Sequence, residues 1–201
     1  SLYAPEVIES FQALAQTGCV EFLNETYYHS LASLIDKDEF VSQVDMHRKK
    51  IAELFDYHPK VFRNTELIYS DEIAKSVKQM GFKVQLAEGA KHVLAWRSPN
   101  YVYANYPDGD LTLLLKNFQL SDDIAFRFSQ HSWQGFPLTS EKFVSWLSQI
   151  ENPDCINLFM DYETFGEHQW QQTGIFDFLE HLPFEVLNRS DFDFATPSEV
   201  A

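Results

Sequence analysis

Ile156-Asn157-Leu158-Phe159-Met160-Asp161-Tyr162-Glu163-Thr164-Phe165-Gly166-Glu167-His168 decides the reading of this chain. It opens as a short apolar run, the pattern of a strand buried on both faces. It then delivers carboxylates, aromatics, a glycine and a histidine in quick succession. A buried strand that presents acids at its C-terminal end is how a βα barrel builds an active site. Capping of a following helix explains one acid in such a place. It does not explain Asp161, Glu163, Glu167 and His168 crowded around Tyr162 and Phe165, and the segment is read as a site.

The rest of the chain supplies strand–helix units around that stretch. Residues 4–16 read as a helix, with Pro5 in its first turn and an apolar stripe through Val7, Ile8, Phe11, Leu14 and Ala15. Residues 19–23 read as a strand leading into Asn24-Glu25-Thr26-Tyr27-Tyr28-His29. Asp36-x-x-Glu39 resembles a capping box and opens a helix to about Tyr57. Its buried face is expected to be Phe40, Val44, Ile51, Leu54 and Phe55, with His47, Arg48, Lys49 and Lys50 solvated. Residues 60–69 read as a strand running into a loop, and Ser70 caps a helix that stops at Gly81. Residues 82–86 are another strand, and residues 93–100 are strand-like and then turn. Residues 101–106 and 111–115 form a hairpin through Asp108-Gly109. A helix begins at Ser121 with Asp122 and Asp123 as caps, and another begins at Thr139. After the key segment come a helix at 174–181 and strands at 184–187 and 191–195. Repeated strand–helix units imply a parallel sheet or barrel with a β-hairpin excursion.

The 201 residues suffice for one sizeable core, and one domain is the default. The net charge of −15 argues against nucleic acid, which needs a basic face, and against anionic membrane surfaces. A neutral polymer is not repelled. Eighteen phenylalanines and an aromatic share of 15% suit both core packing and a cleft that stacks sugar rings. Cys19 and Cys155 make no disulfide framework and read as small buried hydrophobes in a reducing compartment, hence a cytoplasmic protein. No run is long enough to span a membrane, and no signal peptide opens the chain. Ser1 leads straight into a helix-like segment, so the chain reads as a piece of something longer.

Several side chains stand out as chemistry. Glu21 is an acid inside an apolar strand, which is costly without a partner or a task. His29 follows paired tyrosines. Arg63 and Asn64 flank Glu66 and are placed to hold a carboxylate ionised. Trp96 either stacks a sugar or fills core, and Trp170 is a weaker candidate of the same kind. His131 and Trp133 fall in a loop that would border the cleft.

Three motifs carry a resemblance. Asp161-Tyr162-Glu163-Thr164-Phe165-Gly166-Glu167-His168 closely resembles the fourth conserved region of glycoside hydrolase family 57, the retaining α-glucan hydrolases and transferases. Phe62-Arg63-Asn64-Thr65-Glu66-Leu67 resembles the third region of its α-amylase-like branch, and Tyr28-His29 resembles part of the second. The order is the family's, and nearly the whole chain is covered. The resemblance implies an incomplete (β/α)7-type parallel barrel. It implies that Glu66 is the nucleophile and Asp161 the acid and then the base, with Glu21, His29, Glu163 and His168 as hydrogen-bonding cleft residues. His168 stands where some members carry a tryptophan. The family's His-Gln-Pro first strand and C-terminal helical region are absent, which puts activity of this piece alone in doubt.

The implied substrate is an α-glucan or maltooligosaccharide, and no cofactor or metal is expected. Within the family, 4-α-glucanotransferase or branching enzyme is the alternative to α-amylase. Outside it stand a metal-dependent polysaccharide deacetylase, which would need a His-x-x-x-His pair that is lacking, and a non-catalytic glucan-binding module.

Overall fold

The computed structural model describes residues 3–189 and 191–201, an α/β structure. In chain order it contains α1 (Pro5–Gln16), α2 (Ala32–Ile35), α3 (Lys37–Phe55), β1 (Val61–Arg63), α4 (Asp71–Gln79), β2 (Val84–Glu88) and α5 (Lys91–Leu94). Next come β3 (Tyr103–Ala104), β4 (Thr112–Lys116), α6 (Phe118–Ala125), α7 (Ser140–Leu147), α8 (Ile175–Leu187) and α9 (Pro197–Val200). The chain divides into two compact units. The first comprises Ser1–Glu88, Val102–Leu115 and Ala195–Ala201, and the second Gly89–Tyr101 and Lys116–Phe194. Among the described residues no helix is long and apolar enough to cross a membrane.

The sheet belongs to the first unit and is mixed, in the order β1-β2-β4-β3. β1 and β2 run parallel with Phe62 opposite Gln85, and α4 makes the crossover between them. β3 and β4 are the expected hairpin, antiparallel with Tyr103 opposite Leu113, and Gly109 supplies the positive φ of the turn. Val61, Phe62, Val77, Phe82, Val84 and Leu114 are almost wholly buried. α3 lays Phe40 and Val44 on this core, with Asp36 accepting from the backbone N–H groups of Asp38 and Glu39. Only half of the capping box forms, because Glu39 turns instead to accept from Gln43 at 2.7 Å.

In the second unit α7 and α8 pack around Phe143, Val144, Ile175 and Phe178. Residues 174–181 and 184–187, expected as a helix and a strand, are one helix. Ile175, Phe178, Leu182 and Val186 recur at helical spacing along it and belong to or pack against that core, and Pro183 is accommodated within.

Other expectations are corrected. Residues 19–23 form no strand. Their segment joins the sheet only where Asn24 bridges Phe62, and Phe22 stacks on Phe55, with ring centres 4.5 Å apart. Residues 93–95 are not a strand. They fall at α5, which buries Leu94, exposes Val93 and stops at the left-handed Ala95. Short apolar runs do not tell helix from strand by periodicity. Residues 191–195 form no strand. α6 starts four residues before Asp122, with Asn117 as its cap, so Asp122 and Asp123 lie buried within it. Asp123 accepts from Arg127 at 2.6 Å. Arg48 donates to the carbonyl of Met80 and lies over Phe82 rather than facing solvent. Cys19 is exposed and Cys155 half-buried, so neither is a core residue.

His47 is also not solvated. Its Nδ1–H donates to Oδ1 of the buried Asn24 at 2.7 Å. Burial lowers its pKa from 6.5, with the Glu25 carboxylate opposing. The folded chain therefore favours the neutral ring, and the unfolded chain takes up a proton first as the pH falls below 6.5. Stability present above that value is lost as the pH drops toward the lowered folded value. His47→Gln keeps a donor for Asn24 and removes the titration. We expect its thermal midpoint to fall less than the wild type's between about pH 7.5 and 5.5; parallel losses would exclude His47 as the source. Separately, Phe143→Ala empties a site with 0% exposure beside Trp146 and Phe178. It should cost about 3–5 kcal/mol in denaturant unfolding, and a cost below about 1 kcal/mol would show that the core collapses to fill the space.

Candidate active site

The site in the first unit grows from one point of parallel pairing. The N–H of Asn24 donates to Val61 O, and the N–H of Arg63 donates to Asn24 O, both at 2.9 Å. From this bridge two chain segments leave side by side. One runs Glu25-Thr26-Tyr27-Tyr28-His29 and the other Asn64-Thr65-Glu66-Leu67. Their buried hydroxyls meet, Thr26 and Thr65 lying 2.6 Å apart.

Beyond that pair the two segments turn. Glu66 and Leu67 adopt consecutive left-handed conformations at φ 54° and 56°, and His29 does so at φ 50°. Such backbone costs on the order of 1–3 kcal/mol per residue and persists only where neighbours hold it. Here the holding is visible. Leu67 N–H donates to Asn64 O at 2.9 Å, and the buried Asn64 amide donates to Ser33 Oγ and to Ile68 O. His29 N–H donates to Thr26 O, and Ser30 N–H donates to the Thr26 hydroxyl, both at 3.1 Å. The turns bring His29 Nε2 to 3.0 Å from Glu66 Oε1.

Arg63 and Asn64, expected to hold the Glu66 carboxylate, do not. Arg63 donates to Glu25 at 2.9 Å, and Asn64 is occupied within the turn. The partner of Glu66 is His29. Glu25, four residues before His29, is a further carboxylate beside this group. Its Oε2 lies 3.9 Å from His29 Nδ1. Glu21 is not brought to this group. It precedes the Asn24–Phe62 bridge by three residues, whereas Glu66 lies four beyond it. Its carboxylate accepts from the N–H and the hydroxyl of Ser198 at the start of α9, so its partner is structural.

The second unit carries the other acid. The segment at 156–160 is not a strand but an irregular stretch, half-buried rather than fully buried. Among the described residues it pairs only at Asn157, whose carbonyl accepts from Asn117 N–H at 2.9 Å, because the chain beyond Lys116 turns at once into α6. The Ser121 hydroxyl then takes the N–H of Phe159. Asp161 opens an exposed turn of 3₁₀ form, Tyr162–Thr164. Its carbonyl accepts from Thr164 N–H, and the Glu163 carbonyl accepts from His168 N–H at 2.8 Å. Gly166, at φ 117°, closes the loop so that Phe165 and Gln169 pair. Asp161, Glu163 and His168 are thus exposed on one short loop, with Thr164 and the Gln169 side chain buried beneath it.

Trp96 is 87% exposed and fills no core. Trp170, also exposed, donates its indole N–H to Glu167 O. Trp133 packs on Trp146 and His131 stacks on Phe136, so neither of these is spare. Among the described residues no three His, Cys, Asp or Glu side chains are grouped to hold a metal ion.

Comparison with known proteins places this arrangement. A protein of Methanocaldococcus jannaschii named "Putative alpha-amylase" is 50% identical over 195 residues, 96% of this chain and 41% of its own length. The crystal structure of 4-alpha-glucanotransferase from Thermococcus litoralis is similar, with a TM-score of 0.76 and 19% identity over 98% of this chain and 31% of that one. So is a GH57-type branching enzyme from Pyrococcus horikoshii, with a TM-score of 0.73 and 15% identity over 96% of this chain and 47% of that one. The chain therefore spans less than half the length of these relatives. The family model for glycosyl hydrolase family 57 matches residues 1–201, and the chain belongs to that family.

Proposed function

We propose that the complete protein cleaves α-1,4-glucosidic bonds with retention, in the manner of an α-amylase, with Glu66 as nucleophile and Asp161 as acid and base. The observation that carries this reading is the Glu66 carboxylate, exposed, set on a strained turn and bonded to His29 at its Oε1. A nucleophilic carboxylate must be ionised and fixed, and a ring N–H on one oxygen leaves the other to attack. Asp161, Glu163 and His168 on one exposed loop support the second half of the reading. In the fold we propose, both turns belong to one catalytic domain over residues 1–201, part of a (β/α)7-type barrel.

Glu66 Oε2 forms a bond to the anomeric carbon as the glycosidic C–O bond breaks, and the Asp161 proton passes to the leaving oxygen. Water then attacks the same carbon, returns a proton to Asp161 and frees Glu66. Retention asks for carboxyl groups roughly 5–5.5 Å apart, whereas inversion leaves about 6.5–9.5 Å for a water. Glu163 and His168 bind sugar hydroxyls, and Trp96 offers an exposed ring face for stacking. A net charge of −15 is compatible with a neutral glucan. The glucanotransferase and branching-enzyme relatives favour a second reading, in which a sugar hydroxyl replaces water as acceptor.

Glu66→Ala in the complete protein is expected to lose turnover of activated α-glucosides by more than about a thousandfold. Azide should restore it and form a β-glycosyl azide. Asp161→Ala should keep slow cleavage of substrates whose leaving group needs no proton, and lose the others. A Glu66→Ala protein that azide does not rescue, or an Asp161→Ala protein equally slow on both substrate classes, would contradict the assignment. If both variants bind glucan as before and the wild type turns nothing over, the protein is a binding module.

A further inference from the structure

We infer that Glu25 is a positioning residue for Glu66, acting through His29. The inference rests on the reading of Glu66 as nucleophile and adds a residue to it. Glu25 immediately follows the bridging Asn24. Its carboxylate is half-buried, with a side-chain exposure of 28%, and one oxygen faces both Arg63 and His29. Arg63 Nη1 lies at 2.9 Å and His29 Nδ1 at 3.9 Å. The other ring nitrogen of His29 is 3.0 Å from Glu66. The imidazole therefore stands between two carboxylates.

Ionised carboxylates only accept, so the ring nitrogen that meets Glu66 Oε1 at 3.0 Å is the donor. The Glu25 carboxylate on the Nδ1 side holds the ring turned so that Nε2–H faces Glu66. A histidine at φ 50° with half its side chain exposed has little packing to fix it. The restraint comes from the sheet. Arg63 ends β1, bonds Asn24 through its backbone and Glu25 through its guanidinium, and so ties the Glu25 carboxylate to the strand that leads to Glu66. Glu25 acts at a distance from the sugar, through the ring, and the effect is exerted on the nucleophile's orientation and charge.

This makes a distinctive demand on a double-mutant cycle. Glu25→Gln, of the same shape and without charge, should lower kcat roughly tenfold while KM changes by less than about twofold. Glu25→Asp, which keeps the charge, should recover most of the loss. In a Glu66→Ala background with azide as nucleophile, there is no carboxylate left to position, so Glu25→Gln should change the rescued rate by less than about twofold. That rescued rate also reports whether the variant is folded. Equal losses in both backgrounds would overturn the proposal, because Glu25 would then serve the substrate or the fold. A change in KM alone, or no loss at all, would overturn it too. Azide failing to rescue Glu66→Ala with Glu25 intact would instead remove the nucleophile assignment, and the proposal would fall with it.

Discussion

The pairing of Asn24 with Phe62 is the constraint on which the candidate site depends. It is a single parallel bridge, yet Asn24 is wholly buried and every polar group named on it is engaged. Its backbone bonds Val61 and Arg63, its amide N–H donates to Val44 O at 3.0 Å, and its amide oxygen accepts from His47. One residue thus locks the incoming segment to both β1 and α3. Losing such a side chain would leave buried partners unsatisfied, at about 1–3 kcal/mol each. The remaining contacts of the site are consequences of this bridge. Glu25 meets Arg63, Thr26 meets Thr65, and His29 meets Glu66, each step one or a few residues farther along both segments.

The second unit repeats the device with other residues. Asn157 makes one parallel bridge, to Lys116, and the next residue, Asn117, both caps α6 and reaches the amide oxygen of Asn100. The Asn100 carbonyl accepts from Asp154 and Cys155 N–H, just before the acid-bearing segment. Buried asparagines hold each acid-bearing turn where a longer strand ladder is lacking. A side-chain amide offers donor and acceptor together and can satisfy backbone that leaves a sheet early. This is why both turns can sit at the surface, carry left-handed or 3₁₀ backbone, and still be defined.

Much of this was legible in the residues. Helix starts at Asp36, Ser70 and Thr139 follow from side chains that accept from the first turn's N–H groups, and those caps are present. The hairpin through Asp108-Gly109 follows from turn chemistry. The family resemblance singles out His29 and Glu66, and their side chains lie 3.0 Å apart. The failures have one cause: a local pattern says what a segment can do, and long-range partners decide what it does. The apolar run at 156–160 has the pattern of a strand, but its neighbour turns into a helix after one shared bridge. Phe184-Glu185-Val186-Leu187 looked like a strand, yet Val186 continues the stripe of α8. Glu21 is an acid in an apolar segment, which calls for a partner or a task. Its partner, Ser198, is 177 residues away in sequence, beyond the reach of any local argument. Nothing local signals the ion pair of Glu25 with Arg63, 38 residues on.

The central claim is that Glu66 becomes covalently bonded to the sugar, and the most direct measurement is to trap that bond. The complete protein would be treated with a fluorinated α-glucosyl fluoride, which forms the glycosyl-enzyme faster than water can release it, then digested and mapped by mass spectrometry. The account predicts one added glycosyl group, on the peptide containing Glu66 and on that side chain. A label on Asp161 or Glu163, or an enzyme that turns the reagent over with no covalent intermediate and inverts the anomeric centre, would contradict it.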